Sequence, residues 1–188
     1  NYLLALLDGC GLPTVDLVGV SMGGAVALNF ALDHPQRVRR LALLSPAITA
    51  WEWSDAWTQL WQPIRALALS GDLDAARELW WQHPLFATTR DSAAGPVLRA
   101  AIDRFAGRQW QADHQRTALP DVERLHTLAT PTLLISGGLD LDDFRLIAEL
   151  LAATVPGLRR VDLPGAGHML HLEDPVRVAR ELQAFLAG

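Results

Sequence analysis

Short apolar runs alternate with helical patterns along most of this chain. The runs are rich in leucine and β-branched residues and predict buried strands at 15–20, 38–44, 131–136 and 159–163. After the first and third runs, apolar residues recur at helical spacing over 23–33 and 142–154. Because the second run is apolar apart from Arg39 and Arg40, it suits a parallel sheet covered on both faces. The pattern predicts an α/β fold, a parallel sheet flanked by helices.

The middle of the chain carries a different pattern. From 47 to 125 the strand signal disappears, helical spacing takes over, and all seven tryptophans occur. This predicts a helical cap over 47–125, inserted between the core segments 1–46 and 126–188. Most of these aromatic residues fit the interior of the cap, whereas some would face a substrate pocket over the core. The candidates for substrate contact are Trp51, Trp57, Trp110 and, from the last segment, Met169.

Composition excludes several classes of function. The net charge is −5 and the arginines are scattered, which argues against nucleic acid as a partner. Cys10 is the one cysteine, so an internal disulfide and a cysteine-based zinc site are excluded. No apolar run reaches the about 20 residues that cross a bilayer, and the N-terminus lacks the layout of a signal peptide. We expect a globular protein that binds neither nucleic acid nor membrane, in the cytoplasm.

A Gly-x-Ser-x-Gly corner joins the first strand to the following helix, with Ser21 at its apex. A nucleophile on a strained turn needs neighbours without side chains, and we expect this crowding at Gly19 and Gly23. The hydroxyl group would project above the sheet beside the positive end of the helix. The structural alternative is a glycine-containing turn that only packs the helix on the strand.

Three candidate catalytic residues follow predicted strands. Ser21, Asp140 and His168 each lie just beyond a carboxyl end, and parallel strands bring these ends to one edge of the sheet. A serine hydroxyl needs a neutral imidazole to accept its proton, and the imidazole needs a carboxylate to fix its tautomer. Taken alone, a loop histidine is usually structural and an aspartate before a helix is usually a cap. Asp142 and Asp143 are alternative carboxylates, although helix capping explains them better.

A metal site has less support. His168 and His171 are spaced as a ligand pair, but no third ligand has matching spacing. We therefore predict no metal.

These motifs resemble those of the α/β-hydrolase fold enzymes. The segment 19–24 looks like the nucleophile elbow of that family, 137–140 like its acid loop and 165–169 like its histidine loop, in the family order Ser, Asp, His. The resemblance implies an α/β-hydrolase fold in which the backbone N–H of Met22 is one of two donors to the oxyanion. It implies no cofactor. The subgroup of this family that the sequence looks closest to includes enol-lactonases similar to 3-oxoadipate enol-lactonase, carbon–carbon bond hydrolases and esterases similar to cofactor-free haloperoxidases.

The resemblance implies a serine hydrolase of small carboxylic esters or lactones, with the enol-lactonase-like members favoured. A carbon–carbon bond hydrolase or a haloperoxidase-like enzyme is an alternative of the same class. A ligand receptor that retains the triad and turns over negligibly is an alternative of another class.

The apolar pattern of the first strand predicts that another segment or chain pairs with its free edge. This strand is as apolar as a central strand, yet right-handed crossovers would place the later three strands on one side of it. Family members carry further strands and a second oxyanion donor before the elbow, and no such segment precedes Asn1. We expect a chain that associates with a missing N-terminal segment or forms a homo-oligomer, since the free edge would otherwise be exposed.

Overall fold

Four parallel strands form the centre of the structure. The computed structural model describes residues 2–111 and 119–188. The strands lie side by side in chain order: β1 (Val15–Val20), β2 (Val38–Leu44), β3 (Thr132–Gly137) and β4 (Arg159–Leu163). All three neighbouring pairs are parallel. The predicted α/β sheet is confirmed, and only β3 differs, because it begins and ends one residue later than the apolar run.

Ten α-helices accompany the sheet in the described residues. In chain order they are α1 (Tyr2–Gly9), α2 (Met22–Asp33), α3 (Asp55–Leu69), α4 (Leu73–Trp81), α5 (Ala87–Arg90), α6 (Gly95–Arg104), α7 (Arg108–Gln111), α8 (Asp142–Thr154), α9 (Leu170–Glu173) and α10 (Pro175–Ala187). Short 3₁₀ helices lie at Pro35–Arg37, Pro84–Phe86 and Leu125–Thr127. Three of the α-helices begin after a side chain that accepts a backbone N–H, namely Ser54 before α3, Asp72 before α4 and Asp174 before α10.

The side chains of β2 pack alternately on the two faces of the sheet. Leu41 and Leu43 belong to a buried cluster with α2 and α8. Ala42 and Leu44 belong to a second cluster with α9 and α10. Because side chains alternate along a strand, one apolar run fills both clusters. The sheet is therefore the middle of three layers.

Helices α3–α7 lie between β2 and β3 in the chain and form the predicted helical cap. Part of the cap packs around its own buried residues, Ile64, Ala68, Ala76 and Trp110. Leu125, in the last part of the predicted cap, is instead buried in the cluster with α2 and α8. The division of the chain at 46 and 125 stays a prediction.

Strand β1 lies at an edge of the described sheet. Among the described strands it pairs with β2 alone. Val18 on this strand is 46% exposed, and Val26 on the neighbouring α2 is also exposed. One side of β1 therefore presents apolar side chains and backbone groups with no neighbouring strand in the part of the chain that the structure describes.

Two glycines are required at the corner between β1 and α2. A Cβ atom at Gly19 would lie 2.5 Å from the carbonyl oxygen of Gly23, and a Cβ atom at Gly24 would lie 2.6 Å from Cβ of Pro46. A Cβ atom at Gly23 would meet nothing within 4 Å. The expectation that Gly23 needs to lack a side chain is therefore wrong. Its backbone makes the close contact with Gly19, but its own side-chain position is open.

Substitution of Gly19 and of Gly23 by alanine provides a matched test of this corner. We expect Gly19→Ala to lower the free energy of unfolding by about 3 kcal/mol, because the new methyl group would overlap backbone atoms that cannot move independently. This corresponds to a fall in Tm of roughly 6–12 °C for a chain of this size. Gly23→Ala should leave Tm unchanged or raise it slightly, since alanine favours the first turn of α2. Equal Tm values for the two variants in thermal unfolding would contradict this account of the corner.

Candidate functional site

Ser21 occupies the strained corner between β1 and α2. Its backbone has φ 52° and ψ −120°, in the left-handed region that non-glycine residues rarely adopt. Its N–H donates to the carbonyl oxygen of Leu44 (3.0 Å), and its carbonyl oxygen accepts from the N–H groups of Gly24 (2.9 Å) and Ala47 (3.0 Å). Hydrogen bonds to the end of β2 and to the segment after it therefore hold the strained conformation in place.

Met22 directly follows Ser21 and is the first residue of α2. The first N–H groups of a helix have no acceptor within that helix, and they lie at its positive end. The Met22 N–H is thereby available to an oxygen atom that develops negative charge beside Ser21.

Asp140 and His168 form a buried hydrogen-bonded pair. Nδ1 of His168 lies 2.9 Å from Oδ2 and 3.1 Å from Oδ1 of Asp140, and both side chains are at most 2% exposed. Oδ1 also accepts the backbone N–H of Leu141 at 2.8 Å. Because a carboxylate accepts hydrogen bonds, the Nδ1–H of His168 is the donor in this pair, and in the neutral tautomer with that hydrogen the lone pair is on Nε2. The structure brings together two of the three residues that the sequence singles out for catalysis.

The third residue faces the same cavity as the imidazole. Ser21 and His168 both line it, and Nε2 of His168 is buried with no hydrogen-bond partner among the described residues. Phe144 packs against the imidazole with its ring centre 4.2 Å away. The serine hydroxyl and Nε2 are not hydrogen-bonded to each other, as is common in sites without substrate.

Two apolar cavities meet at Ser21 and Met22. The first has a volume of about 400 Å³ and extends under the cap toward α6, where it is lined by Phe86, Leu98, Ile102 and Phe105, and by Met169 and His171 of the core. The second has a volume of about 350 Å³ and is lined by Ala47, Trp53, Trp57, Trp61 and Phe144. Trp80, Leu85, Gln109 and Trp110 line both. We call them the α6 cavity and the tryptophan cavity.

Three of the four predicted substrate-contact residues line these cavities. Trp57 lines the tryptophan cavity, Met169 the α6 cavity and Trp110 both. Trp51 does not line either one. Its ring packs against the core cluster with α2 and α8, and its indole N–H donates to Oδ1 of Asp143 at 3.0 Å. The polar atom of Trp51 thus has a partner in the core, and a role of Trp51 in substrate contact stays a prediction.

Asp142 and Asp143 do not cap helix α8. The residue before the helix is Leu141, which makes no side-chain cap, and Asp142 is exposed with Arg145 at 3.5 Å. Asp143 is buried. It accepts hydrogen bonds from the N–H (3.1 Å) and the hydroxyl (2.6 Å) of Ser54, the residue directly before α3. Asp143 thus joins the cap to the core and contacts neither ring nitrogen of His168.

Two further histidines near the site were not identified as site residues by sequence reasoning. His171 lines the α6 cavity, and burial together with the neighbouring His168 lowers its pKa. His83 is 2% exposed, and burial, with smaller effects of His168 and Arg90, lowers its pKa to about 4. The apolar residues next to His83 in the sequence are the signal from which its burial could be predicted.

The ring of His83 is held in place from several sides. Its Nδ1 accepts the N–H of Leu85 at 3.1 Å, and Trp57 and Trp80 lie 5.3 and 5.0 Å from its ring centre. Its Nε2 has no hydrogen-bond partner in the described part of the chain. A neutral His83 therefore supports two of the indole rings that line the cavities.

Residues 2–111 and 119–188 contain no group of three or more His, Cys, Asp or Glu side chains placed to hold a metal ion. Within those same ranges no helix is long and apolar enough to cross a membrane.

The chain is similar to known proteins over nearly its whole length. The family model for the alpha/beta hydrolase family matches residues 1–181. The chain belongs to this family. The predicted family resemblance is therefore confirmed, and with it the α/β-hydrolase fold.

The relatives of this chain include a carboxylesterase. YbfK of Bacillus subtilis (strain 168) is 31% identical over 201 residues, which cover all of this chain and 62% of the relative. The crystal structure of a hydrolase from Pseudomonas aeruginosa PA01 matches with a TM-score of 0.79 at 28% identity, over all of this chain and 70% of that one. The enol-lactonase from Burkholderia xenovorans LB400 also has a TM-score of 0.79, at 24% identity over all of this chain and 71% of that one, and shows the fold alone.

The low pKa of His83 predicts an acid sensitivity of the fold. The pKa of an unfolded histidine is about 6.5, so between about pH 6.5 and 4 the unfolded chain binds a proton that the folded chain does not. Lowering the pH through this window should cost up to about 3 kcal/mol of unfolding free energy through His83 alone. His83→Asn keeps an acceptor for the Leu85 N–H but does not titrate, so its unfolding free energy should fall less steeply.

The measurement is urea unfolding at a series of pH values. The control is His126→Asn, at an exposed histidine, and it should follow the wild-type curve. Parallel curves for wild type and His83→Asn from pH 7 to 4 would contradict the burial of a neutral imidazole.

Proposed function

We propose that this chain carries the nucleophile, base and acid of a serine hydrolase that cleaves carboxylic esters. The observation that supports this most strongly is the buried Asp140–His168 hydrogen bond, which leaves Nε2 without a partner on a histidine that lines the same cavity as Ser21. The strained backbone of Ser21 and the Met22 N–H beside it supply the other two parts of such a site. The 62% coverage of the carboxylesterase relative makes this a proposal for the whole protein.

In the proposed reaction, Oγ of Ser21 attacks the ester carbonyl while Nε2 of His168 accepts its proton. Asp140 stabilises the imidazolium through the Nδ1–H bond, and the Met22 N–H donates to the oxyanion. The imidazolium then returns the proton to the departing alcohol oxygen, which leaves an acyl-Ser21 ester. A water molecule loses its proton to Nε2, attacks this ester, releases the carboxylic acid and restores the Ser21 hydroxyl.

The two cavities favour a neutral substrate with apolar groups on both sides of the ester. Each cavity reaches Ser21, so one can hold the acyl group and the other the alcohol group. The described lining residues include no arginine, and a substrate carboxylate in such an apolar cavity would lack a cationic partner. A neutral ester therefore fits better than a lactone derived from adipate, the class that the sequence favoured.

The test of the reaction is hydrolysis of p-nitrophenyl butyrate together with labelling by a fluorophosphonate. Ser21→Ala should lose about 10⁶-fold in kcat and all labelling, because the nucleophile is absent. Ser70→Ala, at an exposed serine on the cap, should keep both. Wild-type protein that binds esters without turnover or labelling would favour the receptor alternative, and labelling that persists in Ser21→Ala would contradict Ser21 as nucleophile.

A second test assigns the cavities. With a series of esters lengthened by methylene groups on one side at a time, kcat/KM should rise about fourfold per methylene until the cavity is full. Trp57→Leu enlarges the tryptophan cavity alone, and Phe105→Leu enlarges the α6 cavity alone. In each variant the rise of kcat/KM should continue to longer esters, on a different side of the ester for each. Extension on the same side by both variants would show that only one cavity takes substrate.

A further inference from the structure

Glu173, the last residue of α9, contacts both the cap and the histidine loop. Its Oε1 accepts hydrogen bonds from the hydroxyl groups of Thr88 (2.8 Å) and Thr89 (2.5 Å), which lie on the cap helix α5. Its Oε2 accepts the backbone N–H of Gly167 at 2.5 Å. Since a carboxylate accepts at both oxygens, one side chain satisfies donors from two different parts of the fold.

The peptide group that Glu173 binds is held at both of its ends. The N–H of Gly167 donates to Glu173, and the carbonyl oxygen of Ala166 in the same peptide group accepts the N–H of Leu139 at 2.9 Å. Gly167 directly precedes the histidine of the catalytic pair and Leu139 directly precedes its aspartate. This one peptide group therefore connects Glu173 to the backbone on both sides of the Asp140–His168 hydrogen bond.

Helix α5 and the histidine loop are in contact without free space between them. A Cβ atom at Gly167 would overlap the hydroxyl oxygen of Thr88, and Thr89 is fully buried. Leu85 and Phe86, which line the α6 cavity, come immediately before α5 in the chain. A displacement of these two side chains by substrate would therefore reach Thr88 and Thr89 over two to four residues, from the 3₁₀ helix Pro84–Phe86 into α5.

We propose that Glu173 is a positioning residue that couples the filling of the α6 cavity to the alignment of the Asp140–His168 pair. A substrate that packs against Leu85 and Phe86 fixes the position of α5. Through its hydrogen bonds to α5 and to the Gly167 N–H, Glu173 then fixes the position of the peptide group at 166–167. The inference rests on the proposed serine hydrolase function. It predicts that substrate length affects kcat as well as KM, because cavity contacts contribute to the transition state through the histidine loop.

Glu173→Gln tests the coupling. Glutamine keeps the size of the side chain, but one oxygen is replaced by an NH₂ group that would face an N–H or hydroxyl donor. With an ester series lengthened on the side that fills the α6 cavity, the wild-type kcat should rise with length. In Glu173→Gln, kcat for the longest ester should fall about tenfold or more and become independent of length. KM should still fall with length, because the apolar lining is unchanged.

Matched variants separate positioning from general damage. Thr89→Val removes one donor to Glu173 at nearly constant volume and should reproduce part of the loss, whereas Thr89→Ser keeps the hydroxyl and should restore it. Thr89→Val combined with Glu173→Gln should cost less than the product of the two separate losses, because both remove one link. Glu123→Gln, at an exposed carboxylate remote from the loop, should behave as wild type. Fluorophosphonate titration of Ser21 gives the active fraction of each variant.

The outcomes are distinguishable from failure of the proposed function. Absence of turnover in the wild type would contradict the proposed function. The role of Glu173 is then tested by a second readout, the ¹H–¹⁵N signal of Nδ1–H of His168 in NMR spectra. This signal should shift in Glu173→Gln and Thr89→Val and stay in place in Thr89→Ser. An unchanged signal, a length dependence of kcat equal to that of wild type, or a loss explained by fewer titratable Ser21 groups would each overturn the role of Glu173.

Discussion

The close approach of two backbone loops is the constraint on which the site depends. The loops after β3 and β4 continue their contact beyond the sheet, where the N–H of Gly138 donates to Leu163 and the N–H of Leu139 to Ala166, both at 2.9 Å. A Cβ atom at Gly137 would overlap the carbonyl oxygen of Gly167, so a side chain there would separate the loops. The close approach of the two loops is what allows the Asp140 carboxylate to meet the His168 ring.

The low polarity around this pair determines what it can do. Phe144 covers one side of the imidazole, and both partners are withdrawn from water, so the carboxylate acts on the ring with little screening. Most of the cavity lining is aromatic or aliphatic, so bulk water is displaced when an apolar substrate enters. The cap therefore serves two purposes at once. In the proposed reaction its aromatic residues contact the substrate, and they also strengthen the electrostatic interactions of the Asp140–His168 pair.

Local pattern predicts the elements and the loops that carry Asp140 and His168, but not the contacts between segments. The strands follow from apolar runs, and the loop positions of Asp140 and His168 follow from the strand ends. The open space at Gly23 and the Asp143 partner of Trp51 do not follow from local pattern, because both depend on residues from distant parts of the chain. His83 was missed for the same reason, since its low pKa arises from residues distant in the sequence, including His168.

Asp143 and Glu173 show why the cap and the catalytic loops are not independent parts. Asp143 lies three residues after Asp140, and Glu173 lies five residues after His168. Both accept hydrogen bonds from the cap, Asp143 from Ser54 and Glu173 from the threonines of α5. Both follow a catalytic loop and stand beside helix ends, so from sequence alone they resemble helix caps. A different cap that lacked these hydroxyl groups would leave both carboxylates short of donors in a partly buried position, which is costly. In this chain, a different cap would therefore need hydrogen-bond donors at these two places to avoid that cost.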